Sequence, residues 1–292
     1  MASVDTFFPI QYQTSVDLAI QQMQSKLQNA VSRVDFQGER KAFNLMNKIS
    51  SATAISSRKQ ATPDVDADLT KYWLTQTPYE SVNIYDENDE FFLAQISLPT
   101  SESVMNIASV FNRTIDDVIL AAARGTRYIG EDGTTSDALP SGQKVAVDYV
   151  ESGSAVSSGL TIGKLRQAAY ILDSNDVPTD ERYLAIHAAQ KRDLLRAAEI
   201  GDADYNTVRA LVDGQVNTFM GFNIIWTNRV PLSTTRKVIA WHKNALKLSV
   251  GKKATYMDIR PDLRHSLQIR SVMNLGAVRA ENEGVVEISC AE

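Results

Sequence analysis

A chain of 292 residues is long enough for one large domain or two modest ones. With 43% hydrophobic and 22% charged residues it can build a core, which excludes a wholly disordered polypeptide. A formal charge of −5 argues against a dedicated nucleic-acid binder, whose surface must neutralise phosphates, and gives little attraction to an anionic membrane.

Residues 1–33 are polar and rich in glutamine, with Val16, Ile20, Met23 and Leu27 at helical spacing. They read as an arm with a partly helical stretch that packs on something else. Residues 34–62 are poorer in apolar side chains. From Gly38 to Gln60 five cations (Arg40, Lys41, Lys48, Arg58, Lys59) meet one anion, Glu39. From Asp64 to Glu90 the sign inverts, eight acids facing the single base Lys71. Tyr72, Trp73, Tyr79 and Tyr85 make 71–85 an extended strand. A long outgoing segment and a returning strand describe a projecting hairpin.

Asp86 is placed to cap a short helix carrying Phe91, Phe92 and Ile96. Ser101 to Arg124 then carries the clearest helical pattern in the chain. Val104, Ile107, Ala108, Phe111, Ile115, Val118, Ile119 and Ala122 form one face; Asn106, Ser109, Asn112, Arg113, Asp116 and Asp117 form the other, solvated one. Gly125 suits the position just past the helix end.

After a Gly- and Ser-rich loop over 129–143 comes a short strand, Val145 to Val150, and a soft boundary at Ser152–Gly159. A helix from Thr161 to Leu172 follows, then a strand Tyr183–His187 and helices Ala188–Ala198 and Tyr205–Val212. Strands are expected at Phe222–Thr227, Lys237–His242, Ser266–Met273, Ala277–Arg279 and Val285–Ser289. Helices and strands mix without a steady βαβ rhythm, so the fold class is α+β.

Chemistry is sparse. His187, His242 and His265 sit in no metal-ligand spacing. Cys290 is the single cysteine, which rules out an intrachain disulfide and fits a reducing compartment. Gly159-Leu160-Thr161-Ile162-Gly163-Lys164-Leu165 resembles a phosphate loop. It has three residues between its glycines where four are needed, and Leu165 where Ser or Thr must hold magnesium, so a helix start explains it. The acidic run 86–90 lacks the calcium-loop pattern. Trp226 and Trp241 lie in apolar strands and read as core. No catalytic residue, cofactor site or metal site is predicted. No segment reaches the roughly 18 apolar residues of a membrane span, and no signal peptide is visible at the start.

The order of elements, with the segments Asp180–Ile186, Ala203–Gly214, Phe219–Phe222 and Thr227–Arg229, resembles the major capsid proteins of tailed bacteriophages. So do Arg236-Lys237-Val238-Ile239-Ala240-Trp241-His242-Lys243 and the ending Leu275–Ile288. The resemblance covers essentially the whole chain and is strongest from 160 to 290. It implies the Johnson-type capsid fold, known from the Hong Kong phage: residues 1–33 as N-terminal arm and 34–80 as extended loop. It further implies a peripheral domain of 81–149 and 263–292 with spine helix 101–124, and an axial domain of 150–262. The implied function is the structural subunit of an icosahedral head, assembled from hexamers and pentamers around packaged double-stranded DNA in the host cytoplasm. The arm leaves no room for a removable scaffolding segment, so the implied partners are other copies, a separate scaffolding protein, a portal and a cement protein. Arg40, Lys41, Lys48, Arg58 and Lys59 are the expected inter-subunit loop contacts. Covalent crosslinking through Lys48 or Lys59 to Asn274 or Asn282 is not expected, because none of the four aligns with the crosslinking branch of the fold. An encapsulin-like compartment shell and a hydrolase are the alternatives weighed.

Overall fold

The computed structural model describes residues 21–49, 52, 54–58, 67–86, 100–151, 153–198 and 218–292. The described residues of 1–24, 78–113 and 252–273 form one compact unit; those of 25–77, 114–251 and 274–292 form the other, larger one.

The larger unit is organised on a six-stranded mixed sheet. Its strands are β7 (Lys144–Val145), β8 (Arg182–Ile186), β9 (Thr218–Phe219), β10 (Phe222–Trp226), β11 (Arg236–His242) and β14 (Val285–Cys290), in the order β7-β14-β11-β8-β10-β9. The central strands β8, β11 and β14 read as near-continuous apolar runs, and a strand covered on both faces needs that composition. Helix α2 (Ile162–Ser174) begins where Thr161 caps the Lys164 amide, as the phosphate-loop lookalike was expected to resolve. It packs Leu165, Ala168 and Leu172 against Leu184, Val238, Ala240 and Ile288. Helix α3 (Ala188–Ala198) adds Leu194. Trp241 is fully buried and its indole donates to the Ala30 carbonyl at 2.8 Å.

A second, antiparallel sheet has the order β2-β3-β5-β6, with β2 (Arg40–Met46), β3 (Leu69–Thr75), β5 (Arg127–Ile129) and β6 (Thr135–Asp137). Its core is Tyr72, Leu74, Val278 and Ala280, flanked by Phe36, Phe43, Leu45 and Ile129. The last sheet runs β1 (Ser32–Arg33), β12 (Leu246–Arg260), β13 (Ser266–Arg279), β4 (Thr77–Tyr85). In the smaller unit Glu80 of β4 pairs with Arg270 of β13 at 2.7 Å.

Helix α1 spans Thr100–Arg124, close to the expected 101–124. Ile107, Phe111, Ile115 and Ile119 are buried as the periodicity required, but so are Ser109 and Asp116 on the face expected to be solvated. Gly125 donates to the Ala121 carbonyl at 2.8 Å, and a Cβ there would meet that same oxygen at 2.7 Å. Close approach, not a left-handed turn, selects this glycine.

Other boundaries shift for identifiable reasons. The single strand 71–85 is two, because buried Gln76 turns its amide to Ser249 Oγ (2.7 Å) and the Phe36 carbonyl (3.3 Å) and leaves one ladder for another. The strands 266–273 and 277–279 are one, β13. Its Gly276 lets the Thr75 carbonyl pass where any Cβ would collide. The strand 145–150 shrinks to β7, and the loop 129–143 contains β6. Residues 21–27 form no helix; a short 3-10 turn, Gln28–Ala30, follows. The remainder of the expected arm helix, the short helix after Asp86 and the helix Tyr205–Val212 fall outside the described residues.

Candidate assembly interface

The projecting hairpin is built by β2 and β3, which pair antiparallel from Arg40↔Thr75 to Met46↔Leu69. Alternation decides which side chains face the core. Phe43 stacks on its cross-strand neighbour Tyr72 at 5.5 Å between ring centres and 19° between planes. Arg40 lies on the other face of β2, with its guanidinium 5.1 Å from the centre of the Trp73 ring and a hydrogen bond of 3.3 Å to the Gly133 carbonyl. Gly133 has φ +64° and sits under the Trp73 indole, so no side chain fits.

The five expected loop cations separate into groups. Arg40 is held on Trp73 as described. The Lys41 ammonium lies 5.2 Å from the Phe43 ring centre, and Lys247 approaches the same ring at 5.3 Å. Lys48 is tied within the chain, donating to Glu283 at 2.7 Å and to the Asn175 carbonyl at 2.6 Å. Arg58 is exposed and has no ion pair or hydrogen bond among the described residues. Lys59 lies outside the described residues. Apolar side chains are exposed along the same loop, notably Ile55 (84%) and Met46 (68%). Among the described residues the hairpin therefore presents an unpaired cation and unburied apolar groups beyond its paired strands, while the charges on those strands and just past them are engaged.

Where the paired strands end, at Leu45 to Lys48, is a cleft of about 350 Å³ also lined by Arg127, Glu281, Asn282 and Glu283. Arg127 is buried and pairs with Asp137 at 2.6 Å. Arg279 stands behind it, fully buried. It donates to the carbonyls of Ala123 (3.0 Å), Gly125 (2.7 Å) and Asp137 (3.1 Å) and to the Asn282 side chain (2.7 Å). Burial, then the adjacent Arg127 charge, depresses the Arg279 pKa to about 10. One arginine so binds the end of α1, β6 and the final turn together.

The arm is fixed by a carboxylate that the sequence places on the wrong face. Asp116 accepts from Ser25 Oγ (2.6 Å) and from the amides of Lys26 (3.2 Å) and Leu27 (3.1 Å), while Lys26 Nζ reaches the Trp226 carbonyl (2.8 Å). Its neighbour Asp117 pairs with Arg229 through both carboxylate oxygens. An acid three and four residues before the buried Ile119 and Leu120 was the available signal.

The chemically suggestive residues are structural. The Lys164 ammonium is buried among the carbonyls of Ser158 (2.7 Å), Val147 (2.8 Å), Gly159 (3.0 Å) and Ser289 (3.1 Å), and burial lowers its pKa. The Cys290 thiol is enclosed, and burial pushes its pKa up to about 12, away from thiolate chemistry. His187 accepts from the Ala189 amide at 3.1 Å and His242 from the Asn244 amide at 3.3 Å.

The family model described as phage capsid protein matches residues 4–292. Among solved structures, the capsid of Ralstonia phage GP4 superposes with a TM-score of 0.75 at 10% identity, covering 100% of this chain and 97% of that one. The capsid of the cyanophage P-SCSP1u gives 0.71 at 16% identity, with coverage of 100% and 95%. The Mycobacterium phage Che8 structure gives 0.65 at 18% identity, with coverage of 98% of each chain. No curated protein matches the chain. At these identities the structures establish the fold, and the family match covers nearly the whole length. An encapsulin-like compartment is not favoured. The chain belongs to the phage capsid protein family and is a structural, non-enzymatic subunit of a capsid.

Proposed function

We propose that copies of this chain assemble into hexamers and pentamers that close an icosahedral head around double-stranded DNA. The observation that carries this reading is the β2–β3 hairpin, whose far end exposes Ile49, Ile55, Met46 and Leu69 with little of its own chain to cover them. A soluble monomer gains nothing from such a patch, whereas a neighbouring copy buries it. In this reading residues 1–33 are the arm and 34–80 the extended loop. Residues 81–149 and 263–292, with α1 as spine, are the peripheral domain, and 150–262 the axial domain. Arg40, Lys41, Lys48, Arg58 and Lys59 face adjacent copies at the loop, with Arg58 and Lys59 making the contact. The acidity of the chain suits a wall that must not grip phosphates. A separate scaffolding protein, a portal and a cement protein complete the particle, which assembles in the host cytoplasm.

Expression with its scaffolding partner, followed by sedimentation and negative-stain microscopy, tests the proposal. Closed shells with five- and six-fold clusters are the expected result. Compact monomers under every condition refute it.

A further inference from the structure

In the smaller unit one edge of a sheet is open. Strand β12 runs on to Arg260, but β1 pairs with it only at Lys247 and Leu248. Among the described residues the stretch Lys252–Arg260 therefore has β13 on one side and no strand on the other. Alternate residues of that stretch direct their N–H and C=O to the open side. Its side chains are exposed as well, Met257 at 52% and Ile259 at 65%. Folded proteins cover such an edge or guard it with charge, because it is a template for another strand. Here the guard is uneven, with Lys252 and Lys253 toward one end and Asp258 toward the other. The Lys252 ammonium lies 5.8 Å from the centre of the Tyr256 ring. Asp258 makes no ion pair or hydrogen bond among the described residues, and the cation near it, Arg270, is already paired with Glu80.

We propose that this edge pairs with the same edge of a second copy, β12 antiparallel to β12 about a two-fold axis at Thr255. The inference rests on the reading of the chain as a shell subunit. A two-fold axis perpendicular to the joined sheet places one residue opposite itself, and that residue fixes the register of all the others. With Thr255 at the centre, Lys252 lies opposite Asp258 on both sides of the axis, Lys253 opposite Met257, and Ala254 opposite Tyr256. Two opposite-charge pairs, a threonine pair and a small residue facing an aromatic one are cross-strand neighbours that stabilise a sheet. Moving the centre to Tyr256 sets Lys252 against Arg260, and moving it to Ala254 leaves Asp258 opposite Val250. The charges that repel a general partner therefore accept one register of their own strand. The contact is isologous, so it closes at two copies and leaves no edge to propagate. It joins one ring of copies to the next.

Thr255→Cys is the test, because a two-fold contact brings the substituted residue to its own counterpart. Shells of this variant treated with a short dimaleimide should run as dimers on a denaturing gel, with no larger species. Ile259→Cys is the control. It is exposed on the same strand, but in this register its two copies stand eight residues apart along the strands, roughly 26 Å, so it should stay monomeric. Buried Cys290 stays out of the reaction. A charge exchange reads the contact without a covalent bond. Lys252→Asp and Asp258→Lys each set like charges opposite one another twice, and each should lose most of the sedimenting shells while circular dichroism stays that of wild type. The double variant should recover them. A Thr255→Cys variant that assembles but crosslinks no better than Ile259→Cys overturns the pairing, as does a double variant no better than the worse single. A crosslinked band heavier by a mass other than the chain's own means that a different protein covers the edge, and it also refutes the proposal. If wild type itself never forms shells, the subunit reading fails. If wild type assembles without crosslinking or rescue, only this contact fails.

Discussion

Replacing Asp116 by alanine should release the arm from the spine helix at a cost that stability measurements resolve. The carboxylate is fully buried and accepts at least three hydrogen bonds, two from backbone amides. Hydrogen bonds to a charged acceptor contribute roughly 1.5–3 kcal/mol each, so these three together contribute roughly 4–9 kcal/mol before any offset. Removing the carboxylate also removes its own desolvation penalty, and Ser25 can turn its hydroxyl to water. The amides of Lys26 and Leu27 cannot turn away without dragging Leu27, itself fully buried, out of its site. A net loss of about 2–5 kcal/mol follows, at roughly 1–3 kcal/mol for each of the two amides left buried and unsatisfied.

Urea unfolding of the unassembled chain reads this loss as a lower midpoint at unchanged slope. Trypsin supplies an independent readout, because Lys26 is the adjoining cleavage site and its ammonium is tied to the Trp226 carbonyl. The Lys26–Leu27 bond should be cut early in Asp116→Ala and late in wild type. Asp116→Asn keeps one acceptor oxygen but turns an amide donor toward other donors, so it should retain most of the defect. A midpoint within about 1 kcal/mol of wild type, an ordinary effect for a substitution at an unimportant position, with no faster cleavage, would refute the latch.

Four further outcomes follow from named contacts. Lys164→Met leaves four buried carbonyls without their donor and should lower the melting temperature by several degrees, with the C-terminal strand losing amide-exchange protection first, since Ser289 is one of the four. Cys290 should resist iodoacetamide in the native chain at pH 8 and react once the chain is unfolded, because burial pushes its pKa up to about 12. Burial alone would raise the Asp137 carboxyl, but hydrogen bonds from Arg127 and Asn282 and the two arginine charges outweigh it and hold its pKa below the usual carboxylate range. A depressed carboxyl stabilises the fold above its ordinary range and loses that contribution as pH falls through the folded value, so Asp137→Asn should flatten acid unfolding below about pH 4. Lys48→Glu should destabilise the unassembled chain by setting like charges against Glu283, whereas Arg58→Glu should leave it folded, as parallel urea curves will show.

What was legible in the sequence is what repeats. The spine helix announces itself through eight apolar positions at helical spacing, and β8, β11 and β14 through runs of apolar residues. The hairpin was readable from the inversion of charge and the return of aromatics. Strand β12 was not: from Lys252 to Arg260 it alternates neither in hydropathy nor in burial, and it is defined by its neighbours in the sheet. The buried cations were equally silent. Arg279 and Lys164 carry nothing local to distinguish them from solvated bases; carbonyls from four residues surround Lys164, which only the tertiary fold assembles. The five loop cations were legible as a set, but the differences among them were not, because the partners of Lys48 lie 127 and 235 residues away.

Those differences change the electrostatic account of the loop. If all five cations were free, reversing any of them would weaken contact between copies equally, by the ~0–1 kcal/mol of an exposed pair. Instead Arg40 and Lys41 are committed to aromatic rings and Lys48 to Glu283, so their charges stiffen the hairpin from its root to just past its paired strands. Only a cation without an internal partner can gain a new one without first giving one up, and that condition selects Arg58 among the described loop cations. A stiff root matters for the same reason. Ordering a flexible hairpin on a neighbour would cost about 1–2 kcal/mol for each residue fixed, more than a single ion pair contributes. A hairpin whose root is already ordered loses that entropy on folding rather than on assembly, and a weak contact at its tip then suffices when every copy in a closed shell makes it.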